Sequence, residues 1–223
     1  MVSEDHAEQI RRWHDAAYQV GRTEGRSERS FAYLGLTLLV PPEVMPITPV
    51  SHLLGEAVVT EVHPGDRVLD MGTGCGVNAI LAATQGADVL AVDIIPHALD
   101  AARSNTERNG LEIEVGQSDV FSEVEGRFDL IIFDPPFRWF APRDLLEAAM
   151  TDENYHSLSN FFGQAREHLT ESGRMPIFFG SSGDLSFLRK LIEQEGFTAE
   201  VVAQTDLVRD NWLVEYFTFR VTA

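Results

Sequence analysis

The chain has 223 residues, 44% of them hydrophobic, which suits one domain with a sizeable core plus a short extension. No apolar run approaches the roughly 20 residues of a membrane span, and the polar, acidic start Met1-Val2-Ser3-Glu4-Asp5-His6 is not a secretion signal. With a formal net charge of -18, a single lysine (Lys190) and a single cysteine (Cys75), the composition excludes an internal disulfide, weighs against DNA or RNA as partner, and points to the cytoplasm.

In chain order, residues 5–30 carry Ile10, Trp13, Ala17 and Val20 at helical spacing. They read as an amphipathic helix that packs on the main domain or forms part of a lid, with Gly21 and Gly25 breaking the pattern. Residues 31–40 read as a strand or hairpin, stopped by Pro41, Pro42 and Pro46. Residues 49–62 read as a helix with Leu53, Leu54, Ala57, Val58 and Val62 on one face, and His63-Pro64-Gly65-Asp66 as a turn. Residues 1–50 are thus expected to form a helix and an extended arm over the site, and residues 51–223 the main domain.

From Arg67 onward, short apolar runs alternate with helical stretches. The runs are 68–71, 89–92, 111–115, 130–133 and 175–179, and their continuity is that of strands buried on both faces. The intervening stretches have the length that parallel crossovers need. Residues 198–205 and 214–221 are strand-like with no helix between them, so they pair antiparallel. The expected fold class is α/β: an open, doubly wound, mostly parallel sheet with an antiparallel last strand.

Asp70-Met-Gly72-Thr73-Gly74-Cys-Gly76 ends the first of these strands and opens a helix containing Asn78. Glycines let the backbone turn sharply and approach a ligand closely. A dinucleotide fingerprint would place its third glycine three residues after the second; here Gly76 follows Gly74 by two. With Asp70 beside it, the turn suits a ligand bearing an ammonium and a carboxylate better than a pyrophosphate. Asp93 ends the next run, roughly 20 residues on, where a ribose-binding acid stands in nucleoside sites; a helix cap before Pro96 is the alternative. Ser118-Asp119-Val120 follows the third run. Asp119 there can accept from an exocyclic amine of adenine, with Val120 against the ring.

The run from Arg67 to Trp139 resembles the class I methyltransferases of the small-domain group, which includes release-factor glutamine and ribosomal-RNA guanine N2-methyltransferases. The likeness is carried by residues 69–76, Ala91-Val92-Asp93-Ile94, Ala98-Leu99 through Asn105 with Asn109-Gly110, residues 118–121, and residues 128–137. It implies a Rossmann-like fold with a seven-stranded sheet. It also implies S-adenosyl-L-methionine as cofactor, held by Asp70, Gly72, Thr73, Gly74, Asn78, Asp93, Ile94, Ser118, Asp119, Val120 and Asp134.

Asp134-Pro135-Pro136-Phe137 follows the fourth run, at the carboxyl edge where open α/β sheets bind ligands. The Asp134 carboxylate and the Pro135 carbonyl can accept both N–H bonds of a planar NH₂ group, and Phe137 can stack on it. Methyl transfer from a sulfonium needs alignment and electrostatics rather than a protein nucleophile. The related glutamine and guanine methylators carry Asn at the first position; here it is Asp, as in adenine N6-methylators. The short N-terminal segment is too small for the helical substrate domain of release-factor enzymes.

Downstream, residues 138–144 are expected to wall the acceptor pocket, with Trp139 placed equally well in the core. Arg138 and Arg143 are the candidates for a local basic patch. His52 and Tyr33 are secondary candidates for the pocket, and Tyr155 and His156 are expected on the surface. No Cys/His set has zinc spacing. The expected activity is N-methylation of an amide or amine of a protein, peptide or small metabolite. A nucleic-acid base methyltransferase is the rival enzyme, and a cofactor-binding regulator the rival from another class.

Overall fold

The structure is a computed structural model and describes residues 3–24, 27–42, 44–209 and 212–223. The chain begins with helix α1 (Glu4–Glu24), then strands β1 (Arg29–Tyr33) and β2 (Leu36–Val40), which form an antiparallel hairpin apart from the main sheet. Helix α2 (His52–Glu61) follows. The core then alternates β3 (Arg67–Met71), α3 (Val77–Thr84), β4 (Asp88–Asp93), α4 (Pro96–Arg108), β5 (Glu114–Gln117) and β6 (Phe128–Phe133). After the short α5 (Leu145–Ala148) come α6 (His156–Ala165), β7 (Leu169–Gly180), α7 (Leu185–Gln194), β8 (Thr198–Arg209) and β9 (Trp212–Thr222).

The main sheet has seven strands in the order β5-β4-β3-β6-β7-β9-β8. β3, β4, β5, β6 and β7 run parallel, and β9 lies antiparallel between β7 and β8. Alternate residues of each strand feed two cores. Leu69, Ile131, Phe133, Ile177 and Phe179 meet Leu158, Phe161 and Phe162 of α6 and Leu188 and Ile192 of α7 on one face. Val68, Leu130, Ile132 and Phe178 meet α2 and α3 on the other. Burial on both sides is why these strands read as unbroken apolar runs.

Several expectations need correcting. α1 passes through Gly21 and ends at Glu24, while Gly25 lies outside the described residues. Its buried stripe is Ile10, His14 and Tyr18; Val20 is exposed. A His and a Tyr can be buried there because both find carboxylate partners, described below. The strand expected at 111–115 pairs instead over 114–117. Tyr155 is buried rather than on the surface, its ring stacked on Phe187 at 4.6 Å. Among the described residues no helix is long and apolar enough to cross a membrane.

Candidate active site

A cavity of about 1040 Å³ opens at the carboxyl edges of β3, β4 and β6. That is at the top of the roughly 300–1,000 Å³ range of small-molecule sites. One end is lined by Gly72, Thr73, Gly74, Asn78, Asp93, Ile94, Ser118, Asp119 and Val120, the other by Asp134, Pro135, Pro136, Phe137 and Arg138. The sequence-derived site residues therefore meet around one space, with Asp70 the exception.

Asp70 is buried behind the lining. Its Oδ2 accepts from the Thr73 hydroxyl at 2.6 Å and from the Ala79 N–H at 3.0 Å, tying the turn to the first turn of α3. Gly72 and Gly74 have φ of +67° and +55°, the left-handed region that side chains resist. Gly76 starts α3, and a Cβ there would stand 3.1 Å from the Ala102 backbone, so its absence lets α3 approach α4. Asp93 Oδ2 accepts from Gly74 N–H and Oδ1 from Ile95 N–H, both at 2.9 Å. These bonds fix the carboxylate at the cavity wall and leave each oxygen a second lone pair. Burial raises its pKa, against the pull of these donors. Ile94 presents an exposed apolar side chain to the cavity. The Ser118 hydroxyl is spent inside its own turn, donating to the Val120 carbonyl at 2.7 Å.

Asp134 is exposed to the open cavity, with protein packed around the rest of it. Desolvation by that surrounding protein first, and the nearby charge of Asp70 second, push its carboxyl up to about 7. The Phe137 carbonyl accepts from the Tyr155 hydroxyl at 3.1 Å, and Asp184 N–H donates to that same hydroxyl at 2.6 Å. Tyr155 thus joins the Asp-Pro-Pro-Phe loop to the start of α7, a role the sequence did not reveal.

α1 closes the Asp134 end, with Trp13, Ala17 and Tyr18 among the lining residues. His14 Nε2 meets Glu147 Oε1 at 2.7 Å, both side chains buried. The Tyr18 hydroxyl donates to Asp144, and Arg143 pairs with both Glu147 and Asp15. Burial disfavours the Glu147 carboxylate, but Arg143 and then His14 outweigh it and hold its pKa down at about 2. Burial keeps His14 below the usual imidazole range. The Arg138 guanidinium lies over the Trp13 ring at 4.6 Å and the Phe137 ring at 5.4 Å. Of the two candidates for a local basic patch, Arg138 is buried among rings and Arg143 is paired with carboxylates. Of the expected wall, Arg138 and Pro142 line the cavity, while Trp139 packs against the core. His52 and Tyr33 are not among the lining residues.

The model of the methyltransferase small domain matches residues 47–206. The chain belongs to the methyltransferase small domain family. As a member, it is a methyltransferase domain of the kind that uses S-adenosyl-L-methionine. The chain is 33% identical over 207 residues to the ribosomal RNA small subunit methyltransferase C of Salmonella paratyphi B, covering 86% of this chain and 56% of that protein. It is 51% identical over 72 residues to the ribosomal protein L11 methyltransferase of Thermosipho africanus, covering 32% of this chain and 28% of that protein. The chain thus spans only part of these relatives. A Methanocaldococcus jannaschii protein, provisionally named a protein N5-glutamine methyltransferase, is 30% identical over 188 residues, covering 81% of this chain and 94% of that protein. Among solved structures, a Thermus thermophilus 16S rRNA N2 G1207 methyltransferase with AdoMet and guanosine superposes with a TM-score of 0.62 at 23% identity, covering 86% of this chain and 50% of that one. At that identity the likeness is one of fold.

The cavity also fits the cofactor on chemical grounds. A sulfonium, an adenosine and an amino-acid end need a cation-tolerant floor, a fixed acid and an apolar face; Asp134, Asp93 and Ile94 offer these in one space.

Proposed function

We propose that this chain transfers a methyl group to a planar amide or amine nitrogen of a protein, peptide or small metabolite. The observation that carries the reading is Asp134, directed into the cavity next to Phe137 and at the end opposite Asp93. When bound, S-adenosylmethionine supplies a methyl already activated by its sulfonium. The chain's part is to align and to stabilise charge. Asp93 accepts from the ribose hydroxyls, Ile94 and Val120 pack on the adenine, and Asp119 accepts from its amine. Gly72 and Gly74 let the backbone approach the amino-acid end, and Thr73 and Asn78 flank it. Asp70 acts by bracing that turn.

At the other end, the Asp134 carboxylate and the Pro135 carbonyl accept the two N–H bonds of the acceptor. That arrangement favours loss of planarity and directs the nitrogen lone pair at the methyl carbon. Transfer would form the C–N bond as the methyl–sulfur bond breaks, with the neutral thioether S-adenosylhomocysteine as leaving group; Asp134 would stabilise the positive charge growing on nitrogen and can take the proton. Phe137 stacks on the flat acceptor group.

An acceptor carried by a protein or small molecule is supported by the -18 net charge, by the burial of Arg138 among rings and by the pairing of Arg143 with carboxylates. The relative of comparable length is itself named for protein glutamine. A nucleic-acid base is the second reading, supported by the relatives named for ribosomal RNA. Incubation with methyl-labelled S-adenosylmethionine and separate protein, small-molecule, RNA and DNA fractions tests both. Label in the protein or small-molecule fraction is expected, and label confined to RNA or DNA overturns the first reading.

A further inference from the structure

Two asparagines on α4 and at its C-cap, Asn105 and Asn109, treat β2 as a neighbouring strand would. Asn105 Nδ2 donates to the Leu39 carbonyl at 2.8 Å, and its Oδ1 accepts from the Leu39 N–H at 2.8 Å. Asn109 repeats the pattern on Thr37, with Nδ2 to the carbonyl at 3.1 Å and the N–H to Oδ1 at 3.2 Å. The match is geometric. Four residues of helix advance about 6 Å, and two residues of strand about 6.6 Å, so side chains at i and i+4 meet backbone groups at j and j+2. β1 pairs with one edge of β2, and the two amides cover the other.

The same Asn105 Nδ2 also donates to the Cys75 carbonyl at 2.9 Å, inside the glycine turn. Asn105 is fully buried. One side chain therefore joins α4, the hairpin and the turn that lines the cavity. Beyond β2, residues 44–51 run along the cavity, where Val44, Met45, Pro46 and Ile47 line it, as does Pro42. Val44 sits over the turn, 4.0 Å from where a Cβ on Gly74 would be, and shares an apolar cluster with Cys75, Ile95 and Ala98.

We propose that Asn105, supported by Asn109, is a positioning residue that clips the hairpin and the 44–51 strap against the glycine turn and so sets the rate at which cofactor leaves. The proposal rests on the cofactor reading above. Neither asparagine touches the cavity; the effect passes through the strap and the Cys75 carbonyl.

The test is S-adenosylhomocysteine binding by calorimetry and its release by stopped-flow fluorescence, well below the melting temperature. Asn105→Ala releases it roughly tenfold faster, the scale of one lost net hydrogen bond, and the Thr37 and Leu39 amides exchange faster. Asn109→Ala, at a half-buried position, keeps the Cys75 tie and gives a smaller acceleration; it decides the matter should Asn105→Ala not fold. Thr106→Ala is the control. It removes a bond to the Ala102 carbonyl at 2.8 Å within the same helix and leaves the hairpin untouched. It lowers the melting temperature without changing release. Wild-type release in Asn105→Ala, or equal acceleration in Thr106→Ala, overturns the clip. A wild-type protein that binds no S-adenosylhomocysteine overturns the cofactor reading as well, and so is distinguishable.

Discussion

Replacing Asp134 with Asn separates the two duties assigned to it. An asparagine keeps an oxygen that can accept an N–H bond but cannot titrate. In the wild type, desolvation and then Asp70 place the carboxyl at about 7; protonated, it still accepts an N–H bond as asparagine does, but only the ionised form is a charge partner and can take the proton. One unit below the pKa about a tenth of the carboxyl is ionised, so turnover at pH 6 should fall toward roughly a tenth of its plateau above pH 8, with the Asp134→Asn level as its floor. Asp134→Asn should keep measurable turnover, lower than wild type because the growing positive charge has lost its counterion, and its pH profile should be flat between 6 and 8. Asp134→Ala removes the acceptor altogether, and a loss of about 10²–10³ in turnover is expected, as for other pre-positioned groups. Cofactor affinity should change far less in either variant. The assay is methyl transfer from labelled S-adenosylmethionine to the fraction that accepts label, across pH 6 to 9, at cofactor well below saturation so that the profile reports the free protein's ionisation. A pH rise that survives in Asp134→Asn, or full turnover in Asp134→Ala, refutes the reasoning.

Three other outcomes follow from the same geometry. Asp93→Ala should weaken S-adenosylhomocysteine binding by at least about tenfold in calorimetry, because charge-assisted hydrogen bonds to the ribose are lost; unchanged affinity removes the ribose assignment. Gly183→Ala would set a Cβ against the Phe137 carbonyl oxygen and within 2.8 Å of the Phe179 ring. Overpacking there should cost about 1–3 kcal/mol in urea unfolding and should lower turnover by shifting the Asp-Pro-Pro-Phe loop. Glu147→Ala strips the buried partner from His14 and Arg143. A loss of about 1–3 kcal/mol is expected, the scale of leaving the buried, neutral His14 without its hydrogen-bond partner, with α1 becoming the first site cut in limited proteolysis; an uncut α1 would show that its docking does not depend on Glu147.

The central strands were legible because burial on both faces leaves a simple mark, as in Leu130-Ile131-Ile132-Phe133. The glycine turn, Asp93 and Asp134 were legible because strand ends and spacing place them at one edge. Residues 138–157 were not, since their neighbours come from far away in sequence. His14 with Glu147 and Tyr18 with Asp144 are separated by more than 120 residues. Nothing local marks a buried histidine as satisfied, so apolar spacing placed Ile10 of α1 correctly but chose Ala17 and Val20 where His14 and Tyr18 are buried. Asn105 and Asn109 stood out as residues shared with a family, but their task appears only when β2 lies against α4.

β9 carries a consequence for how the chain is made. In the finished sheet it separates β8 from β7, and among the described residues β8 has no other strand beside it. During synthesis, residues 198–209 leave the ribosome before residues 212–222. Strands β3 to β7 can then assemble while β8 still waits for its partner, with its edge exposed to pairing with other chains. The cavity end of the sheet can thus take shape early, and the opposite border is sealed last.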